Sequence, residues 1–289
     1  MDVTVLICTW NRAEKLRMCL TSLLHLEIPA GLEWEIVVVN NCCTDHTSSV
    51  IQSFKKLLPI REVIESQLGH SVSRNTGVSM SSGKLILFTD DDVQVDPKWL
   101  SEIKRVSDQY PKSSIFGGPI YPQLEKVPRH IQKCMESPFF DGLILRKNLG
   151  SGVKILDESE SLFGANMAFR RALFEQLRFD SSLGLKGNDH IRGDETALIE
   201  RARELGEIII WAPNAKITHM IETSRVSFKS AGRYFWGLGR THAKMKKRIF
   251  FPQLNQLSPF GAWTQINFFS GGLFEMVSKR LTTFFTEYA

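Results

Sequence analysis

The residues of this 289-residue chain best suited to chemistry stand in one run, Thr89-Asp90-Asp91-Asp92-Val93. Three consecutive carboxylates repel one another, so such a run is tolerable mainly where a cation offsets the charge. Hard carboxylate oxygens suit Mg²⁺ or Mn²⁺, whose remaining positions go to water and phosphate oxygens. The run follows Leu85-Ile86-Leu87-Phe88, an apolar strand pattern, and open α/β sheets bind ligands at the carboxyl ends of their strands. A solvated acidic turn is the plainer alternative for the triplet alone, and its position after a buried strand favours a site. A second acidic pair, Asp194-Glu195, opens a helical pattern running to Leu205. The macrodipole favours ionised carboxylates there, and N-capping is the rival explanation. His219, in Ile217-Thr218-His219-Met220, ends a strand pattern, where an imidazole completes a cation's shell, binds diphosphate or packs structurally. His46, His70 and His190 read as loop residues, with His70 near the pocket segment.

Positioning such groups requires a sheet, and the first 120 residues supply the alternation of β-rich and helical runs that marks a βαβ architecture. Val3 to Cys8 reads as a buried strand, followed by a helix from Arg12 to Leu26 with Asn11 as N-cap and Glu14 three residues on. Strands are expected at Glu35–Val39, Arg61–Ile64 and Lys84–Thr89, with a helix from Asp45 to Leu58 between the first two. From Tyr121 to Ser161 the rhythm loosens into loops with one modest helix around Arg129 to Glu136, and long loops are usually functional. Order returns at Leu162 to Phe169, then a helix from Asp194 to Leu205 and strands at Glu207–Trp211 and Ala215–His219. Amphipathic helices follow from Val226, the second near Gly271 to Phe285. Gly117-Gly118-Pro119 and Gly164-Ala165-Asn166 read as backbone devices that let the chain pass close to a ligand.

Composition narrows the class. Hydrophobic residues make up 43% and charged residues 23% of the chain, enough apolar side chain for a sizeable core, which excludes disorder. No run reaches the ~18 apolar residues of a spanning helix, and Met1-Asp2-Val3-Thr4 lacks the basic start of a signal peptide, so a cytoplasmic protein is expected. Five cysteines, two adjacent and none in C-x-x-C spacing, argue against a zinc cluster or a disulfide framework. The net charge of +5 is unevenly placed: no acid stands between Glu222 and Glu275, while Arg225, Lys229, Arg233, Arg240, Lys244, Lys246, Lys247 and Arg248 do. The remainder, with 28 basic against 31 acidic residues, is slightly acidic. Basicity therefore belongs to a C-terminal segment whose expected partner is an anionic surface. Trp236, Phe250, Phe251, Trp263, Phe268 and Phe269 interleave with its Lys and Arg, as in an interfacial helix, with packing onto the body as the alternative. No nucleic-acid recognition motif accompanies them.

Taken together, Val5 to Arg12, Ile36 to Asp45, Ser73-Arg74-Asn75-Thr76-Gly77 with Gly83, Phe88 to Asp92, Gly164 to Arg171, Gly193-Asp194-Glu195 and His219 resemble glycosyltransferase family two, the inverting enzymes of GT-A fold, over roughly residues 1 to 220. The resemblance implies an α/β domain with a mixed, mainly parallel sheet flanked by helices at residues 1–222, and a helical C-terminal extension at residues 223–289. It implies transfer of a sugar from a nucleotide-diphosphate donor, a UDP-sugar first, to a glycan or lipid-linked hydroxyl in bacterial cell-surface polysaccharide assembly, at the inner face of the membrane.

Residue by residue, the resemblance places Thr9, Asn11 and Arg12 in the nucleotide pocket and Arg74 and Asn75 beside the sugar-nucleotide, where a guanidinium offers a fork of donors. Asn40 and Asn41 stand where the family has an aspartate that accepts from the base, and an amide still offers one acceptor and one donor. Cys43 replaces the usual serine. Asp92 is expected on the cation and Asp90 on the ribose and cation, with Asp91 nearby, His219 completing the Mn²⁺ or Mg²⁺ shell, and Asn166 holding substrate. The Asp194-Glu195 pair reverses the family's usual order, which leaves Glu195 by position or Asp194 by side-chain length as general base. A sugar-phosphate nucleotidyltransferase is the rival enzyme, but Cys8-Thr9-Trp10-Asn11 has no phosphate-binding glycine; a non-catalytic sugar-nucleotide binding module is the other.

Overall fold

The computed structural model describes residues 1–124, 126, 132, 138–187, 189–245 and 265–276. An eight-stranded sheet runs in the order β3-β2-β1-β4-β9-β6-β10-β8. Its first half is parallel: β1 (Val3–Thr9) lies between β2 (Trp34–Asn41) and β4 (Leu85–Asp90), with β3 (Ile60–Glu65) outside β2. The strands are nearly continuous apolar runs because both faces are covered; Val5, Ile7, Ile36, Val38 and Leu87 feed one core cluster, and Leu6, Val37, Val39, Ile86 and Phe88 feed another. On the far side, β9 (Met167–Arg170) is antiparallel to both β4 and β6 (Ile115–Gly117), and β10 (Ile209–Trp211) is parallel to β6 and antiparallel to β8 (Lys154–Ile155). The sheet is thus mixed and mainly parallel around β1, as expected.

Register brings the carboxyl ends level. Thr9 pairs with Asn40, Cys8 with Asp90 and Asn41 with Glu65, so the motif residues of four strands share one edge. A second sheet, in the order β5-β11-β7, is built from β5 (Val93–Val95), β7 (Ile120–Leu124) and β11 (Ile217–Ile221). Antiparallel pairing sets His219 opposite Val93, which carries the histidine to the aspartate triplet although 127 positions separate Asp92 from it.

Helices α1 (Ala13–Leu23) and α2 (Thr47–Phe54) are shorter than the expected Arg12–Leu26 and Asp45–Leu58. Asn11 is not the N-cap of α1. Its φ is +52°, and the first helical N–H, that of Ala13, is bound instead by Asp45 Oδ2 at 3.0 Å; Glu14 turns to Arg17 and His46 rather than back onto the helix start. Two helices lie outside the expected elements, α3 (His70–Met80) and α4 (Trp99–Gln109). The second carries a readable period in Trp99, Leu100, Ile103 and Val106, all buried. The first does not: its buried positions are Ser71, Ser73, Arg74 and Gly77. A Cβ at Gly77 would lie 2.3 Å from a Leu6 methyl, so α3 packs on β1 through its lack of a side chain.

Within the expected loop region, a 3₁₀ turn at Pro138–Phe140 and a short α5 (Asp141–Ile144) are present; the expected helix at 129–136 lies outside the described residues apart from residue 132. Helix α6 (Asp194–Glu204) stands where the pattern places it, and α7 (Phe228–Lys244) is followed by helical residues 265–276. The rest of the second expected helix, beyond residue 276, together with Phe250, Phe251, Trp263, Lys246, Lys247 and Arg248, lies outside the described residues. Packing divides the chain into two compact units. One gathers Met1–Gln123, Leu145–Ser181 and Asp194–Met220; the other gathers Leu124–Ile144, Ser182–Gly193 and the chain from Ile221. The expected boundary after Glu222 falls two residues past the last of these breaks. Unit two has its own core of Phe140, Leu143, Ile144, Ile221, Val226, Ala231, Phe235 and Phe268. Among the described residues no helix is long and apolar enough to cross a membrane.

Gly83 tests this packing away from the site. A Cβ there would lie 2.4 Å from the Thr4 backbone nitrogen and 2.6 Å from the Val3 carbonyl carbon, and backbone in a central strand cannot yield as a side-chain tip does. Gly83→Ala should destabilise the fold by about 1–3 kcal/mol, read as a lower urea midpoint at unchanged slope; an unshifted midpoint would mean that β1 and β4 are not so tightly apposed.

Candidate active site

The triplet at the end of β4 does not act as three equivalent acids. Asp91 points into protein: Thr9 Oγ1 donates to its Oδ2 at 2.8 Å and Arg12 Nη1 to its Oδ1 at 3.0 Å. The same Arg12 nitrogen reaches Asp92 Oδ2 at 3.2 Å, and Lys15 Nζ stands 3.9 Å from that oxygen. On the other side, His219 Nε2 lies 3.0 Å from Asp92 Oδ1 and 3.8 Å from Asp90 Oδ2. Asp90, Asp92 and His219 each offer one ligand atom, all within 4.8 Å of one another. His219 is buried, and its Nδ1 meets no hydrogen-bond partner among the described residues. The donor set, two carboxylates and an imidazole, suits a borderline-hard divalent ion such as Mn²⁺, and the sequence-predicted metal residues are thus brought together.

Electrostatics follow the contacts. Burial alone would raise the Asp90 and Asp92 pKa values, but hydrogen bonding to His219 and its charge hold both below the usual carboxylate range. Asp91 goes the other way, to about 6, because burial and the neighbouring Asp92 outweigh Arg12 and Thr9. Burial would lower the His219 pKa, and its two carboxylate partners raise it above the ordinary imidazole value instead.

A second cluster sits at the start of α6. Arg74 Nη1 donates to Asp194 Oδ2 at 2.7 Å and reaches Glu195 Oε2 at 3.4 Å. Arg74 and Asp194 are each 3% exposed at the side chain and Glu195 is 23% exposed, so the two acids differ in access. Burial and the adjacent Asp194 lift the Glu195 pKa to about 7, against the lowering effect of Arg74. The Arg74 guanidinium also lies over the Phe179 ring at 5.3 Å, and a Cβ at Gly164 would fall 2.1 Å from its Nη2. Gly164 therefore clears the guanidinium's seat. Arg74, expected beside the sugar-nucleotide, pairs here with the acidic residues at the start of α6.

His70 is a site residue that sequence reasoning left in a loop. It is the first residue of α3, with Nδ1 3.7 Å from Asp194 Oδ2. Burial and the charge of Arg74 depress its pKa to about 4, so the imidazole is neutral at pH 7; Asp90, Glu195 and Arg12 also act on it, which places it between the two clusters. Its signal in the sequence was position alone, one residue after Gly69 and four before Arg74.

Several expected ligand contacts turn out to be braces. The Asn40 amide donates to Ser48 Oγ and Glu62 Oε1, and its oxygen accepts from Cys43 N. Asn41 donates to the Glu65 and Gln67 carbonyls and accepts from Gly69 N. Both are buried and their amides are engaged with their own chain. Asn75 clasps the Phe179 backbone in both directions. Asn166, 1% exposed, accepts from Trp99 Nε1 and donates to the Pro119 and Ala215 carbonyls, so it ties three segments together. Asn11 Oδ1 accepts from Thr44 N at 2.7 Å and from Asp45 N at 3.3 Å. Cys43 does the work of a serine: its Sγ accepts from Asn11 N and donates to the Thr9 carbonyl, and burial raises its pKa, which keeps it a thiol.

Comparison with known proteins identifies the family and agrees with the fold. Residues 4–178 match the sequence profile described as Glycosyl transferase family 2. The glucosyl-dolichyl phosphate glucuronosyltransferase of Haloferax volcanii is 26% identical over 262 residues, 88% of this chain and 79% of that protein. Among solved structures, the mannosyltransferase PcManGT from Pyrobaculum calidifontis in complex with GDP-Man and Mn²⁺ aligns with a TM-score of 0.61 at 20% identity, over 94% of this chain and 73% of that one. S. aureus TarS 1-349 in complex with UDP-GlcNAc aligns with a TM-score of 0.56 at 18% identity, over 84% of this chain and 66% of that one.

The Arg74–Asp194 pair generates a direct test. Removing one member of a buried ion pair leaves the other uncompensated, at a cost of about 3–5 kcal/mol. Arg74→Gln should lose that much in a denaturant titration, and adding Asp194→Asn should restore part of it. Strictly additive losses in the double-mutant cycle would show that the two side chains are not coupled.

Proposed function

Because the chain belongs to glycosyltransferase family 2, with a GT-A fold, we propose that it moves a sugar from a nucleotide-diphosphate donor, a UDP-sugar first, to a hydroxyl of a glycan or lipid-linked acceptor with inversion, in cell-surface polysaccharide assembly. One observation carries this reading: a cation-competent cluster and a part-exposed carboxylate with a pKa of about 7 stand at the carboxyl edge of the same sheet. Asp90, Asp92 and His219 would hold a divalent ion, Mn²⁺ or Mg²⁺. When bound, that ion supplies positive charge against the diphosphate.

Glu195 acts as the general base. It takes the proton from the acceptor hydroxyl as that oxygen bonds to the anomeric carbon and the carbon–oxygen bond to the diphosphate breaks, leaving the nucleotide diphosphate. Asp194, buried on Arg74, fills a supporting role: its negative charge raises the Glu195 pKa, and its ion pair holds the start of α6. Arg12, 45% exposed at the side chain while bound to Asp91 and Asp92, has guanidinium nitrogens left for donor phosphate. Neutral His70 offers a hydrogen bond to the donor between the two clusters. Thr9 and Asp91 set Arg12. The acid-free basic stretch after Glu222 supports an anionic membrane, at the cytoplasmic face, as the surface where the acceptor is met.

Three outcomes are expected. Binding of UDP followed by calorimetry should require Mn²⁺ or Mg²⁺ and be abolished by EDTA or by Asp92→Asn; equal affinity in EDTA would remove the metal from this reading. Glu195→Gln should lower kcat by on the order of 10²–10⁴ while donor affinity holds. In the native enzyme kcat/KM should rise with pH through about 7, as Glu195 loses its proton and becomes a competent base. A variant Glu195→Gln with near-native turnover, alongside a dead Asp194→Asn, would transfer the base role to Asp194.

A further inference from the structure

We propose that helical residues 265–276 form an inside-out helix that seats its apolar face in the surface of an anionic bilayer leaflet. The proposal rests on the membrane reading above and assigns the contact to one helix face.

At 100° per residue, Ile266, Leu273 and Phe274 fall on one side of this helix, flanked by Met276, while Phe268, Gly271, Gly272 and Glu275 fall on the other. Burial follows that division, with polarity reversed. Glu275 is 5% exposed, whereas Ile266, Leu273, Phe274 and Met276 are between 44% and 53% exposed. A helix on the surface of a water-soluble domain points its apolar stripe inward and its charges out. Here the acid is the inward group.

What holds the acid inward is specific. Arg240 Nε donates to Glu275 Oε2 at 2.9 Å and its Nη1 to Asp189 Oδ1 at 2.7 Å, with Lys244 Nζ 4.0 Å from Glu275 Oε1. The Arg240 guanidinium lies 4.8 Å from the Trp236 ring and 5.6 Å from the Phe274 ring. Close backbone approach does the rest: a Cβ at Gly239 would fall 1.8 Å from the Phe268 carbonyl oxygen, and one at Gly271 would fall 1.9 Å from that of Trp236. Paired charges turned toward the neighbouring helix, glycines at the crossing and apolar side chains outside are the arrangement that helices adopt against lipid.

Charge selects the occupant. The segment between Glu222 and Glu275 has eight basic residues and no acid, and a leaflet of acidic lipids complements that charge. Length decides the depth. Twelve residues rise about 18 Å, well under the ~30 Å of a hydrocarbon core, so the described helix lies along the interface.

Flotation of the full chain on phosphatidylcholine vesicles with and without phosphatidylglycerol tests this. The wild type should float with the anionic vesicles, and Ile266→Glu/Leu273→Glu should reduce the bound fraction at least tenfold with an unchanged melting curve. A Leu273→Cys variant carrying an environment-sensitive dye should blue-shift on anionic vesicles and not on zwitterionic ones. If the double-Glu variant floats as well as the wild type, or the dye does not shift while the protein floats, this helix face is not the contact and the membrane reading survives without it. If the wild type ignores anionic vesicles at low salt, both fail. A wild-type dimer made monomeric by the same two substitutions, without vesicle binding, would assign the face to a second copy.

Discussion

Like-charge repulsion within Asp90-Asp91-Asp92 is the constraint around which the rest of this edge is arranged. Two carboxylates about 5 Å apart at an effective dielectric near 20 repel by roughly 3 kcal/mol, too much to leave unanswered in a domain whose whole stability is on the order of 5–15 kcal/mol. Each aspartate receives a different answer. Asp91 is drawn down onto Thr9 and Arg12, Asp92 is held between Arg12 and His219, and Asp90 faces His219 at longer range. The partial exposure of Asp90 and the outward reach of Arg12 leave a cation and an anion as natural complements on the open side.

Those answers require three connections to stay in register. Thr9 ends β1, Arg12 precedes α1, and His219 arrives on β11 through its pairing with β5. The turn carrying Arg12 is fastened to the turn after β2 by reciprocal bonds. Asn11 Oδ1 takes the Thr44 and Asp45 amides, Asp45 takes the Ala13 amide, and the Cys43 thiol bridges Asn11 N and the Thr9 carbonyl. The positive φ of Asn11 and of Cys42, at +52° and +58°, marks where the chain accepts strain of about 1–2 kcal/mol per residue to hold that clasp. Asn40, Asn41 and Asn75 extend the clasp to β3, α3 and the segment at Phe179. Amides at these positions hold the chain together.

How much of this was legible follows from which residues advertise themselves. The strands were, because Val, Ile and Leu runs covered on both faces leave little else to read. The metal-competent trio was, because a strand end carrying several acids is rare without purpose. Helix α3 was not: it buries serines, an arginine and a glycine, so no apolar period exists, and its helicity comes from packing on β1 and from Arg74 finding Asp194. The chain bonds of the asparagines were hidden for a related reason. An amide can satisfy either a ligand or the chain, and the chain partners of Asn40, Asn41 and Asn166 are fixed only by three-dimensional neighbours. His70 lay beyond sequence reasoning because its significance is the company it keeps, Asp194 on one side and the field of Asp90 on the other.

The reversed acidic pair shows how position and environment separate two carboxylates that side-chain identity does not, and the proposed assignment of the base rests on that separation. Asp194 is the shorter acid and takes the buried seat, where Arg74, itself packed on Phe179 above a glycine, can meet it at 2.7 Å. Glu195, one residue on and one methylene longer, is turned outward far enough to meet a substrate while remaining desolvated. The charge of Asp194 and burial then work against a negative charge on Glu195, which keeps its proton until near neutrality. A base needs that combination of reach and a pKa near the working pH. Exchanging the two residues would put the longer side chain into the seat shaped for Asp194, crowding Arg74, and would leave the outward position with an acid too short to reach as far. The order Asp-Glu is therefore tied to the depth of Arg74, and the buried arginine sets which of the two carboxylates is the more exposed.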